Sequence, residues 1–248
     1  MCRKERQFWA DSMTRLFCIV LMALVVVPLT CVAAAAQTTQ QQFWPETDFF
    51  LKVTPRVRGD FVFARSQDAG NNDSIELGPD IEFYFRQFVK DRIKTNNTAN
   101  RQLLTLKVGY HYLAGVSQPS EDRGIVQGTS RFPLGWSLLL ADRNRFDLRW
   151  VQGQPFSWRY RNRLFLERSF KVKRVSFTPY VAGEIIWVST GQGWNQDSLE
   201  GGATFPIRKW LEFTPYYQRY NKSGSPNTHT NAIGFTTAFF FSLPRASN

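Results

Sequence analysis

The stretch that decides the fold is Ile75–Gln87, IELGPDIEFYFRQ, in which apolar and polar residues alternate. One face carries the apolar side chains Ile75, Leu77, Pro79, Ile81, Phe83 and Phe85. The other face carries Glu76, Gly78, Asp80, Glu82, Tyr84 and Arg86. Alternation with period two predicts a β-strand, and the charged face argues against a soluble sandwich, whose inner faces form a dry core. The stretch therefore predicts a strand of a membrane β-barrel, with lipid outside and a polar lumen inside.

The same alternation recurs in segments of about ten residues that are separated by polar turns, as in membrane barrels. These segments are Gln102–Leu113, Trp158–Arg168, Val175–Trp187, Leu211–Arg219 and Thr230–Phe241. Trp and Tyr tend to lie at the segment ends, as they do in interfacial girdles. We therefore expect an all-β fold, a transmembrane antiparallel β-barrel.

Two places decide the strand count. Residues 53–56 (VTPR) and 142–144 (DRN) are each either a turn or the interior of a longer strand. Single-chain bacterial barrels have even strand numbers and periplasmic termini, so both places turn, giving about twelve strands, or neither does, giving ten. In a continuous strand, the side chains of Asp142 and Asn144 would face lipid. A basic side chain at the bilayer midplane destabilises a barrel by about 2–4 kcal/mol, and Asp by somewhat less. We expect twelve strands, with ten as the alternative.

The N-terminal segment predicts export. Basic residues between Arg3 and Arg15 precede a mostly apolar run, Leu16–Val32, and Ala34–Ala36 form an A-x-A cleavage site. An uncleaved anchor is the alternative, although Leu16–Leu29 is short for a membrane span. The cysteines Cys2, Cys18 and Cys31 all lie in this leader, so the mature chain is expected to hold no disulfide and no thiolate metal site.

These signals divide the chain into four parts. We expect residues 1–36 to be a cleaved signal peptide and 37–43 a polar tether. Residues 44–241 are expected to form the barrel in the outer membrane of a Gram-negative bacterium, and 242–248 a polar tail. The turns at 171–173 and 207–209 are tight, whereas 90–101 and 220–227 are longer, which fits short periplasmic turns and longer outer loops.

Charged residues at inward positions predict a basic lumen. Arg159, Arg161 and Arg163 share one face of a strand, and an arginine facing lipid near the midplane would cost about 2–4 kcal/mol. The expected pore-lining residues are Arg145, Arg149, Arg159, Arg161, Arg163, Lys107, Glu76, Asp80, Glu82, Glu167 and Glu184, with Arg56, Arg58, Arg131 and Glu212 as further charges. Two interpretations stay open: the charges form a salt-bridged plug in a narrow barrel, or the arginines select anions.

A hydrolytic function is the alternative from another class. His229, in NTHTNA, faintly resembles the His-x-Ser-Asn segments of outer-membrane lipid hydrolases, but Asn231 stands where the serine is expected. Ser223 or Ser225 would have to fold back to reach the histidine. His111, between Tyr110 and Tyr112, is expected to be a lumen or girdle residue. We therefore predict no catalytic residue, and no metal or cofactor motif is present in the sequence.

Three segments resemble a bacterial family catalogued as domain of unknown function 2490. They are 43–46 (FWPE), 141–149 (ADRNRFDLR) and 158–167 (WRYRNRLFLE). The resemblance covers most of the mature chain and implies an outer-membrane barrel without an established activity. A weaker similarity, in mature length and basic interior, is to small monomeric porins for acidic oligosaccharides.

The formal net charge of +11 suggests an anionic partner. Nucleic acid is a poor candidate in the envelope, so the expected partners are outer-membrane lipids, the barrel assembly machinery and small acidic solutes. The leading function is a small outer-membrane barrel, either a narrow anion-preferring channel or a structural barrel. A lipid hydrolase and an envelope anchor for a partner protein are the alternatives.

Overall fold

The computed structural model describes residues 39–68, 71–87, 95–116, 118–190, 193–223 and 228–243. The predicted signal peptide lies outside the described residues. Within these ranges the fold is all-β, as predicted, and none of the helices is long and apolar enough to cross a membrane.

Twelve strands follow one another through the described ranges. They are β1 (Thr39–Lys52), β2 (Val57–Asp68), β3 (Asn71–Gln87), β4 (Gln102–Gly115), β5 (Glu121–Pro133), β6 (Leu138–Val151), β7 (Ser157–Arg168), β8 (Phe170–Val172), β9 (Val175–Val188), β10 (Gly193–Arg208), β11 (Leu211–Lys222) and β12 (Thr228–Ser242). Single 3₁₀ turns occupy Thr98–Arg101 and Gly135–Ser137. Residues 39–43, expected in the tether, belong to β1.

Eleven of these strands close into a barrel, and the short β8 pairs outside it with β9 alone. Each barrel strand pairs antiparallel with its neighbour, β7 with β9 included, except where β1 meets β12. That closing pair is parallel, with Thr39 opposite His229 and Lys52 opposite Ser242. Because the strand number is odd, β1 starts at one end of the barrel and β12 finishes at the other.

The predicted even strand number is therefore wrong, since only one of the two ambiguous places turns. Residues 53–56 form a turn between β1 and β2, in which the amide of Val53 donates to the carbonyl of Val57 at 3.1 Å. Residues 142–144 lie inside β6, which runs unbroken from Leu138 to Val151. One turn and one continuous strand give eleven barrel strands rather than ten or twelve.

The polar residues in the middle of β6 point outward but bond to the next strand. Asn162 of β7 donates through Nδ2 to Asp142 Oδ1 at 2.7 Å and to Asn144 Oδ1 at 3.0 Å. The Tyr160 hydroxyl donates to Asn144 Oδ1 at 2.5 Å. These bonds offset part of the cost of placing polar groups on the outer face, which explains why the chain does not turn at Asp142.

The alternation in β3 separates two environments. Ile81 and Phe85 are 47% and 58% exposed, whereas Asp80 and Glu82, which flank Ile81, are 3% and 7% exposed. Apolar side chains thus cover the outside of the barrel and charged side chains fill its interior. This arrangement is inverted relative to a soluble protein, whose buried residues are mostly apolar.

The expected segregation of long and tight connections is wrong. Because successive strands alternate in direction, the β3–β4 connection lies at the same barrel end as the turn between Arg208 and Leu211. This end also contains Ser242, and we call it the C-terminal end. The described part of the long connection, Thr95–Arg101, therefore shares one end with a tight turn, while β11 ends and β12 begins at the other end.

Gly234 on β12 faces inward, where two neighbouring strands leave no room for a side chain. An added Cβ would lie 2.5 Å from Tyr216 Cζ and 2.6 Å from the Trp44 carbonyl oxygen. We expect Gly234→Ala to lower the free energy of unfolding by about 1–3 kcal/mol, because the ring and backbone must shift. Urea unfolding measures the change. Gly183, with no atom within 4 Å of its added Cβ, is the control, and an equal loss in Gly183→Ala would contradict the steric explanation.

Candidate functional site: the charged interior

Five inward carboxylates of β1–β3 form what we call the acidic wall: Glu46, Asp48, Asp60, Asp80 and Glu82. Lys107 of β4 neutralises part of it, with Nζ lying 2.6 Å from Asp60 Oδ2, 2.9 Å from Asp80 Oδ2 and 3.5 Å from Glu82 Oε1. Arg58 of β2 adds a second cation, 2.6 Å from Glu82 Oε2. One ammonium group is thus shared by three carboxylates.

The inward arginines of β5–β7 form the basic wall: Arg123, Arg131, Arg143, Arg145, Arg149, Arg159, Arg161 and Arg163. Three carboxylates each bind two of them. Asp147 binds Arg145 at 2.5 Å and Arg159 at 2.6 Å. Glu184 binds Arg161 at 2.7 Å and Arg143 at 3.1 Å, and Glu121 binds Arg149 at 2.7 Å and Arg123 at 2.8 Å. Six guanidinium groups on three carboxylates leave a formal surplus of three positive charges.

The acidic wall carries the opposite surplus. Lys107 and Arg58 face the carboxylates of Asp60, Asp80 and Glu82, while Glu46 and Asp48 have no cation within 4.0 Å among the described residues. Five carboxylates against two cations leave a formal surplus of three negative charges. Glu76 lies between the walls, in contact with Arg123 at 3.2 Å and His111 at 2.5 Å.

A cavity of about 480 Å³ separates the two walls near the middle of the barrel. Its lining includes Glu46 and Asp80 from the acidic wall and Arg143, Arg145 and Arg163 from the basic wall. The space suits a small molecule, and its lining is mostly polar and charged, with Val62, Ala64 and Phe165 among the apolar residues. An electric field therefore runs across the lumen, from the basic wall to the acidic wall.

The segment Thr95–Arg101, which we call the mouth segment, lies across the C-terminal end of the barrel. Its Thr95 hydroxyl bonds the carboxylate of Glu212 on β11, at 2.8 and 3.0 Å, and the Asn96 amide donates to the same carboxylate. Arg58 Nη1 donates to Asn97 Oδ1 at 2.7 Å. β11 lies five strands from β4 in one direction around the barrel and six in the other. The mouth segment, which precedes β4, therefore reaches the opposite side of the barrel.

The structure places the residues predicted to line a pore inside the barrel. Arg145 lies opposite Arg161 across the β6–β7 pair, so the arginines of the two strands come together as expected. Glu167 is also on the inward face of β7, although no ion pair of its carboxylate is found in the described ranges. Arg56, by contrast, is exposed in the β1–β2 turn and adds nothing to the interior. Whether these side chains line a conducting pore stays a prediction.

Glu200 of β10 binds Arg163 of the basic wall at 2.6 Å. It is one of several important partners that were not singled out from the sequence: Glu46, Asp48, Asp60, Glu121, Arg123, Arg143, Asp147 and Glu200. Asp147 is fully buried and lies two positions from both Arg145 and Arg149, so extending the alternation along β6 would have identified it. Glu121 and Arg123 belong to β5. Gly124 and Gly128 occupy outward positions of this strand and interrupt its apolar alternation, so the strand was not recognised from the sequence.

The two histidines differ in position. His111 is 3% exposed inside the barrel, where Nδ1 and Nε2 lie 2.5 Å from Glu76 and 3.1 Å from Asp80. His229 lies on the outer face, with Nδ1 2.8 Å from Asn221 Oδ1, and Asn221 in turn donates to Asp197 at 2.7 Å. Among the residues with described positions, we find no serine bonded to His229, so the arrangement gives no support to a nucleophile and base pair.

No set of three or more His, Cys, Asp or Glu residues within the described ranges is arranged to hold a metal ion. The chain was also compared with protein-family models, curated proteins and solved structures, and none of them matches it.

Proposed function

We propose that this chain is a small outer-membrane β-barrel whose narrow charged lumen holds or passes small polar solutes. The observation that carries the proposal is the inverted polarity of the closed barrel. Most outward side chains at mid-strand are apolar, and Val108, Val126, Phe146, Val181 and Ile185 are all more than 40% exposed. The polar group of Asp142, Asn144 and Asn162 on β6 and β7 is an exception, and its members bond to one another. A hydrocarbon environment makes this exterior favourable, and closure leaves no strand edge to be satisfied by water.

The interior supports a lumen function over a purely structural one. A structural barrel needs charges that cancel locally, whereas the two walls hold opposite surpluses on either side of a cavity of about 480 Å³. Anion preference remains part of the proposal, although the negative charges of the acidic wall repel anions and reduce this preference. Membership of domain of unknown function 2490, the signal peptide and the absence of catalysis also stay predictions.

An arginine on the outer face distinguishes a membrane barrel from a soluble one. Val108, near the middle of β4, is 43% exposed. In lipid, Val108→Arg is expected to lower the free energy of unfolding by about 2–4 kcal/mol, because the charge lies near the bilayer midplane. On a water-facing surface the same change stays within about 0.5 kcal/mol. Urea unfolding of the protein refolded into phospholipid vesicles measures the difference.

Val175 provides the matched control, since it is 57% exposed at the first position of β9. Near the interface an arginine costs about 0–1 kcal/mol, so Val175→Arg is expected to be nearly neutral. Equal and small effects of the two substitutions, or failure of the wild-type chain to enter vesicles, would refute the membrane assignment.

A further inference from the structure

We propose that the central cavity binds a small zwitterion, with its anionic group against the basic wall and its ammonium group against Glu46. This inference names the solute class of the proposed lumen and rests on that function for its biological role. The binding itself is a property of the folded barrel, whether or not the barrel resides in a membrane.

The basic wall offers unused hydrogen-bond donors to the cavity. Arg145 bonds Asp147 through Nε, and no partner of its two Nη atoms is found in the part of the chain that the structure describes. Arg143 and Arg163 also line the cavity and add positive charge to this side. Guanidinium groups with spare donors bind carboxylates and phosphates through paired N–H bonds, so this side suits an anionic group.

The acidic side of the cavity offers unused acceptors. Glu46 receives a single long bond from Thr236, at 3.5 Å, and has no cation within 4.0 Å among the described residues. Asp80 also lines the cavity and adds a second carboxylate to this side. A ligand ammonium group brings three donors and a positive charge to this place.

The two sides face each other across the barrel. β1, which carries Glu46, lies five strands from β6 in one direction and six in the other, and Glu46 and Arg145 both line the cavity. A simple anion satisfies the arginines but lies in the repulsive field of Glu46, and a simple cation meets the reverse problem. A zwitterion with separated charges satisfies both walls at once, which is the basis of its selectivity.

Titration calorimetry of the purified barrel in detergent at low salt tests the proposal with three probes of equal length. They are 6-aminohexanoate, 6-hydroxyhexanoate, which lacks the ammonium group, and 6-amino-1-hexanol, which lacks the carboxylate. We expect the zwitterion to bind at least tenfold more tightly than either singly charged probe. A series from glycine to 8-aminooctanoate is expected to show an optimum length, set by the gap between the walls.

Two variants assign the ends of the ligand. Glu46→Gln is expected to remove the advantage of 6-aminohexanoate over 6-hydroxyhexanoate while leaving the hydroxy acid bound within threefold of wild type. Arg145→Gln is expected to weaken both probes at least tenfold. A cooperative unfolding transition in urea shows that each variant is folded, also where loss of the Arg145–Asp147 ion pair lowers its midpoint. Glu46→Asp, which keeps the charge, is expected to retain the preference.

The outcomes separate this proposal from the proposed function. Equal affinity for 6-aminohexanoate and 6-hydroxyhexanoate, or a zwitterion advantage that survives Glu46→Gln, overturns the zwitterion site. Absence of binding by every probe overturns it as well. None of these results bears on membrane residence, which the outer-face arginine variants test independently.

Discussion

Lys107→Met is expected to lower the free energy of unfolding by about 3–5 kcal/mol, the usual cost of removing one partner from a buried ion pair. The single ammonium group of Lys107 lies within 3.5 Å of three carboxylates. Its side chain is only 16% exposed, and those of Asp60 and Asp80 are 2% and 1% exposed. Methionine leaves their negative charges facing one another, so the loss is expected at the upper end of the range. Urea unfolding in detergent micelles measures it.

Two comparisons attribute this effect to the charges rather than to lost packing. Lys171→Met, at an exposed position of β8, is expected to change stability by less than about 0.5 kcal/mol. Adding Asp60→Asn and Asp80→Asn to Lys107→Met is expected to recover most of the loss, because the uncompensated charges are then absent. A loss below 1 kcal/mol in Lys107→Met, or no recovery in the triple variant, contradicts this interpretation.

The local features of the fold follow from the sequence because they depend on neighbouring residues. Arg159, Arg161 and Arg163 must share a face of any strand that contains them, and lipid on that face would be too costly for three guanidinium groups. The same reasoning places Lys107 inside and Phe83 outside. Fold class and the direction of most side chains were therefore predictable.

The strand number depends on contacts between distant parts of the chain, and for that reason it was not predictable. Asp142 looks like a turn residue until Asn162, twenty positions later, is placed beside it by the pairing of β6 with β7. Likewise, the alternation of residues along β1 and along β12 does not determine that these two strands pair in parallel. Long-range strand pairing is the least local element of a β fold.

The distribution of charge around the lumen was predicted only in part, for a related reason. The sequence shows arginines on β7 and carboxylates on β3, a pattern that leaves both an anion-selective pore and a salt-bridged plug open. Strand pairing then brings Asp147 and Glu184 onto these arginines and sets Glu46 across the cavity from Arg145. The net charge of the lumen is consequently less informative than its separation into two walls, and a dipolar ligand becomes more plausible on physical grounds than a simple anion.

Releasing the mouth segment is expected to open the C-terminal end of the barrel. The Glu212 carboxylate accepts bonds from both Thr95 and Asn96, and Glu212 is 4% exposed. Hydrogen bonds to a charged group contribute about 1.5–3 kcal/mol each. Glu212→Ala therefore removes roughly 3 kcal/mol or more from the closed arrangement, which corresponds to about a hundredfold change in the ratio of closed to open barrels.

Planar-bilayer recording of single barrels measures this change as the fraction of time spent conducting. We expect a wild-type barrel that conducts rarely and a Glu212→Ala barrel that conducts for most of the recording. Asp197→Asn is the control, because that exposed carboxylate bonds Asn221 on the outer face and does not contact the mouth segment. Equal conduction by wild type and Glu212→Ala would show that the segment does not close the lumen. If neither protein conducts, the lumen is blocked by the ion pairs in the interior, where Arg123 contacts both Glu121 and Glu76. That result would favour a barrel that binds its solute without passing it.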